Sequence, residues 1–213
     1  MRRSAVARGD IPYRSQYASP ELAAEFQAGR LAFADDPRWE ESGARSREEY
    51  VRWARSGCGM ACLQMILEAR DGAAPSIAAL GRAAIGFGAY EERPARGFGP
   101  LVYAPFVDFV AAEFGLSARV AAPITLEELM AAVAGDEVVL ASVSAEIRSL
   151  TARPQHLGGH LVLAYDVSPD SSEVCFHDPA GDRRERTRGV WLEDRDFARF
   201  FANRGIAVRL PRP

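Results

Sequence analysis

The chain has 213 residues, 48% apolar and 26% charged, with 26 basic side chains against 29 acidic ones and a net charge of −3. That length suits one well-packed domain, and the composition excludes the disordered and fibrous classes. The near balance of charge supplies no field that would draw the chain to nucleic acid or an anionic membrane.

Residues 1–10 are small and polar and read as a loose tail, with order expected from Ile11. The two arginines at the start are not followed by a long apolar run, so no secretory signal is expected. Ile11–Tyr17 (IPYRSQY) has the look of a short extended segment. Residues 18–56 then read as a helical insertion or lid, with two helical pieces, ELAAEFQAGR and REEYVRWAR, the second preceded by Ser46 and Glu49 at capping-box spacing. Cys58–Arg70 is apolar around most of its circumference, so it is expected to be a central helix, closed by Asp71-Gly72. Further helices are expected at Ser76–Ala84 and Leu101–Phe114, around a Gly-rich surface loop, and at LEELMAAVA behind Thr125 and Glu128.

The period then changes. EVVLASV (137–143), GHLVLAYDV (159–167), EVCFHD (173–178) and IAVRL (206–210) are short, β-branched and bounded by turn residues, as strands are. LEDRDFARFFANRG, before the last of these, is expected to be an amphipathic helix ending at Gly205. Helices followed by a mostly antiparallel sheet is the α+β pattern, and residues 11–213 are expected to form one domain. No apolar stretch is long enough to span a bilayer, and three cysteines are too few and odd in number for a disulfide framework, which fits a reducing, cytoplasmic setting.

One stretch carries chemistry. In SGCGMACLQMIL, Cys58 stands at a helix start, where unpaired N–H groups and aligned peptide dipoles favour a thiolate. Gly57 and Gly59 flank it, which would let a substrate backbone approach, and its own N–H could meet an oxyanion. The competing reading is a small buried hydrophobe, and it is the favoured one for Cys62 a turn later. A metal site built on Cys58 and Cys62 lacks both the usual C-x2-C spacing and a fourth ligand. No metal or cofactor is expected.

A thiolate enzyme needs a histidine, and the chain has three. His160 opens a strand after Gly158-Gly159, at an edge where a site would lie. If SPDSS (168–172) is the hairpin turn, partners sum to about 340, which sets Asp178 opposite Val162 and diagonal to His160 on one face. Asp178 before Pro179 could equally be a turn-starting aspartate. His156 reads as solvated and His177 as a satisfied strand histidine.

Together, CGMACLQMIL, GGHLVLAYDV and FHDPAG resemble the C39-like cysteine peptidases, over about two thirds of the chain. The resemblance implies a papain-like fold and a catalytic triad of Cys58, His160 and Asp178. It also implies that Gln16, in IPYRSQY, is the side-chain donor of the oxyanion hole, although some forty positions separate it from Cys58 and Arg52 stands where such a glutamine usually lies. The implied activity is that of a cysteine peptidase or amidase on a peptide or other acyl or amide substrate. Alternatives are an acyltransferase or cyclase with the same triad, and a non-catalytic binding domain.

Overall fold

The structure, a computed structural model, describes residues 11–93, 97–150 and 154–210. The segment expected as a loose tail, residues 1–10, lies outside the described residues. Helices α1 (Ala23–Gln27), α2 (Arg47–Ser56), α3 (Cys58–Asp71), α4 (Ile77–Gly86) and α5 (Tyr103–Phe114) come first, with a two-residue hairpin, β1 (Glu92–Arg93) and β2 (Gly97–Phe98), before α5. Then come β3 (Ala118–Ala121), α6 (Leu126–Ala134), β4 (Glu137–Ser144), β5 (Gly159–Val167), β6 (Glu173–His177), β7 (Val190–Glu193), α7 (Asp194–Ala198) and β8 (Phe201–Arg209). Strands β3 to β8 form one antiparallel sheet in the order β3-β8-β4-β5-β6-β7.

Both faces of that sheet are covered. Val138 and Leu140 of β4 pack with Met60, Leu63 and Leu67 of α3, whereas Val139, Ala141 and Val143 join Leu129 and Val133 of α6 and Phe197 of α7. A strand buried on both sides reads as a continuous apolar run instead of an alternating one, and EVVLASV is such a run. Helix ends follow local chemistry. The Thr125 and Glu128 box is complete in both directions, and α3 stops at Gly72 (φ +78°), whose N–H donates to Glu68 O at 2.8 Å. At α2 only half the box forms: Ser46 Oγ accepts from Glu49 N–H, while the Glu49 carboxylate turns to the Arg45 N–H and to Arg82.

Two expectations are corrected, and strand β3 goes beyond them. The helix expected over residues 192–205 is confined to α7, and Phe201–Gly205 is strand, because Phe201 pairs with Val143 in the middle of the sheet. Aromatic residues suit both periods, and here pairing with β4 outweighs local preference. The short strand β3 carries no alternation that would have marked it, since only Ala121 of its four residues is buried. The Gly-rich stretch is not simply surface: Ala89, Tyr90 and Phe98 are buried, and Trp53 stacks on Phe98 with ring centroids 4.2 Å apart.

Residues 18–56 are tied down by one buried carboxylate. Asp36 is fully buried and accepts from Ser19 Oγ (2.6 Å), Ser19 N–H (3.1 Å), Arg38 N–H (2.9 Å) and the Tyr50 hydroxyl. Tyr50 in turn belongs to a small core with Tyr17, Phe26, Ala54 and Ala180. A charge buried this way is held by its donors, and removing it orphans all of them. Asp36→Ala is expected to cost about 3 kcal/mol in urea unfolding and to expose the Ser19 and Arg38 amides to hydrogen exchange.

Candidate active site

Cys58 is the first residue of α3, and α2 ends two residues earlier, so the two helices nearly form one. The Gly57 N–H still donates to Trp53 O at 2.7 Å and its carbonyl accepts from Ala61 N–H at 2.9 Å, as in a continuous helix. The next carbonyl breaks the pattern. Ala54 O, four residues before Cys58, is taken by Gln16 Nε2 at 2.7 Å. Among the described residues no backbone carbonyl accepts the Cys58 N–H, so it remains available at a helix start, where the local dipoles favour negative charge.

The flanking glycines serve packing and not substrate access. A Cβ at Gly59 would lie 2.9 Å from Leu101 Cδ2, and one at Gly57 would lie 2.6 Å from Trp53 O. Both positions are buried. Room for a substrate lies instead on the other side of the sulfur, in a cleft of about 570 Å³ lined by Cys58, His160, Ser142, Leu101, Phe98 and Arg204, among others.

His160 enters from the sheet. Gly158 and Gly159 have φ of +89° and +90°, a region closed to most side chains, and they deliver the chain into β5 at His160. Near the site β5 and β6 pair Leu163 with His177 and Ala164 with Phe176, both summing to 340, and a bulge shifts the register only nearer the turn. The expected register therefore holds where it matters, and His160 Nε2 lies 2.7 Å from Asp178 Oδ1. With Nε2 engaged by Asp178, Nδ1 is the ring nitrogen left over, and His160 and Cys58 line the same cleft.

Asp178 is 1% exposed, and its donors come from three places. Oδ1 also accepts the Ala180 N–H at 2.8 Å, and Oδ2 faces Arg148 Nε at 3.3 Å. Arg148 is a site residue that sequence reasoning missed. It ends a single 3-10 turn after β4 and reaches Asp178 across thirty positions, through strand order alone. No local motif marks it.

The charges set the thiol. Burial pushes Cys58 up, but the hydrogen bond and charge of His160, helped by backbone hydrogen bonds from Leu161 and Gly59, bring it below the ordinary cysteine range. Burial pulls His160 down and the Asp178 charge raises it, against an opposing contribution from Arg148, so that it ends above its ordinary value. Burial raises Asp178, and His160 with Arg148 outweighs that, holding it low. The other cysteines go the opposite way: burial drives Cys62 well up and Cys175 to about 11.

The remaining candidates fall out as follows. Gln16 is buried, its N–H donates to Pro179 O at 2.8 Å, and its Oε1 has no partner among the described residues. It touches α2 four residues before Cys58 and the loop just after Asp178, yet it lines a cavity with Tyr13, Gln64 and Ser76 and not the cleft holding the sulfur. His156 is exposed. His177 Nδ1 accepts the Gly189 N–H and Nε2 donates to Ile11 O, both at 2.9 Å, so both nitrogens are engaged. Cys62 is buried in the α3 core. Among the described residues no group of three metal-ligating side chains converges, and no helix is long and apolar enough to cross a membrane.

No family model matches this chain, and no curated protein matches it. Among solved structures, a Bacillus anthracis chain described as a "putative C39-like peptidase" superposes with a TM-score of 0.53 over 97% of this chain and 98% of its own, at 13% identity. At that identity the likeness is one of fold. The chain has the α+β, papain-like fold of that C39-like neighbour.

A thiol held low alkylates at lower pH. Iodoacetamide at pH 7 is expected to label Cys58 about a hundredfold faster than Cys62 or Cys175, as read by peptide mass spectrometry. His160→Ala removes the groups that lower the thiol, so labelling at pH 6–7 should slow about tenfold. Because the Arg148 charge depresses the imidazolium, Arg148→Ala should let His160 keep its proton to higher pH, seen in the ring-proton NMR titration.

Proposed function

We propose that the protein is a cysteine peptidase or amidase acting through Cys58, His160 and Asp178. The observation that carries this reading is the 2.7 Å contact of Asp178 Oδ1 with His160 Nε2, together with His160 and the helix-start thiol of Cys58 lining one cleft. The fold shared with a "putative C39-like peptidase" supports it. Such an arrangement stores a thiolate beside an imidazolium, ready for acyl transfer.

The Cys58 sulfur attacks the substrate carbonyl carbon, and the C=O electron pair moves onto oxygen. The oxyanion is met by the Cys58 N–H, which Gln16 keeps free by holding Ala54 O. Collapse breaks the C–N bond, and the leaving amine takes the proton from His160. Water then gives a proton to His160 and attacks the thioester, which releases the acid and restores the thiolate. Asp178 holds the imidazole throughout, and Arg148 holds Asp178. Transfer to an amine or carbon acceptor would use the same thioester and differ only in what attacks it. Three free cysteines suit a cytoplasmic enzyme.

Incubation with peptide and thioester libraries is expected to give turnover and a thioester adduct on intact protein mass. Cys58→Ala should abolish both with unfolding unchanged within about 1 kcal/mol, and Gln16→Ala should lower kcat about 10²-fold. An adduct that resolves only onto an added amine would assign a transferase. A Cys58→Ala protein that no longer folds, together with slow labelling of all three thiols, would assign a binding domain.

A further inference from the structure

The cleft beside Cys58 has an unbalanced charge. Its lining residues include two arginines, Arg55 and Arg204, and no aspartate or glutamate. Other arginines of the sheet region have acidic partners: Arg119 with Glu137, Arg209 with Asp136, Arg199 with Asp196 and Arg148 with Asp178. Among the described residues, neither Arg55 nor Arg204 forms such a pair. Arg55 instead lies over the Phe33 ring, its guanidinium carbon 6.0 Å from the centroid.

Arg204 is put there by a local departure from sheet geometry. Strand β8 pairs Gly205 with Ala141 and Phe201 with Val143, so that Ala202, Asn203 and Arg204 together stand opposite the single residue Ser142. Asn203 has φ of +51°, the left-handed conformation such a bulge needs. Bulges beside sites commonly re-aim a side chain, and this one lays the Arg204 guanidinium against Gly158. A Cβ there would meet Arg204 Nη2 at 2.5 Å and Ser142 Oγ at 3.1 Å. Ser142 Oγ and the fork of Arg204 thus share one corner of the cleft, next to the glycines that lead into His160. A planar cation beside a hydroxyl matches a carboxylate.

We propose that this corner receives a carboxylate on the leaving-group half of the substrate. The assignment rests on the cysteine-hydrolase reading for its direction. His160 must hand its proton to the departing amine, so the departing half passes over the imidazole, and Arg204 lies on that side. The substrate class is then a peptide or amide with an acidic group just after the scissile bond. That group is either an Asp or Glu side chain or the free C-terminal carboxylate of a short leaving segment.

The test separates the subsite from the catalysis. The ratio of Cys58 alkylation rates by iodoacetate and iodoacetamide reads the field at the sulfur whether or not anything is cleaved. It should fall about tenfold in Arg204→Ala and stay within about twofold in Arg204→Lys. Next, a mixed peptide library with free and amidated C-termini is digested, and the cleavage sites are read by mass spectrometry. Acidic residues should be enriched about tenfold after the cut, or cleavage should depend on the free C-terminus, and Arg204→Glu should turn the preference toward lysine. Enrichment that survives amidation assigns a side-chain carboxylate; enrichment lost on amidation assigns the terminal one. An alkylation ratio unchanged in Arg204→Ala overturns the proposal, as does cleavage without acidic preference. A ratio that falls while no peptide is cut upholds the anion subsite and sinks the peptidase reading.

Discussion

The candidate site depends on a buried negative charge. Asp178 is nearly closed to water, and a carboxylate in that position persists only if its oxygens are met by donors. They are met by the His160 ring, the Arg148 guanidinium and the Ala180 N–H, which come from the start of β5, the turn after β4 and the loop after β6. No two of these are close in sequence except the last with Asp178 itself. The neighbouring order β4-β5-β6 is therefore a condition for the site, because it brings His160 and Arg148 to one carboxylate. Pro179 helps by ending the ladder: Asp178 N–H turns away to Thr187 O at 2.8 Å, which leaves the side chain free to reach inward.

A second constraint joins the helical half to this charge. One extended segment, through Gln16, binds Pro179 O with its backbone and Ala54 O with its side chain. The first contact fixes the loop next to Asp178. The second takes the carbonyl that a continuous helix would have offered to Cys58, so α3 begins with a free donor beside the sulfur. The buried carboxylate at Asp36 plays the structural counterpart, holding residues 18–56 so that Trp53 backs Phe98, which lines the cleft with Leu101.

Glycine has different work at different points of this wall. At Gly158 and Gly159 the positive φ is the requirement, since the chain must turn into β5 with His160 at its head. At Gly57 and Gly59 the requirement is the missing Cβ, because Trp53, Ile77 and Leu101 come too close for any side chain. Sequence reading takes Gly57 and Gly59 as access to the nucleophile and Gly158-Gly159 as marking the edge of a site. The structure divides them into two that steer the base and two that let helices, strand and loop pack tightly behind the sulfur.

Much of this was legible from residue order alone, wherever the physics is local. The capping box at Thr125, the stop at Gly72, the apolar circumference of α3 and the strand over 137–143 depend on neighbours within a turn or a strand. The hairpin at 168–172 carried the register of His160 and Asp178, since a short turn leaves little freedom. Tertiary structure decided the rest. Phe201–Gly205 is strand because β4 needed a partner, Arg148 joins Asp178 because of strand order, and Gln16 meets Ala54 because an extended segment crosses the gap between helices and sheet. Such contacts are settled by which surfaces remain to be buried after the local elements have formed, and no pattern of spacing within one element records that.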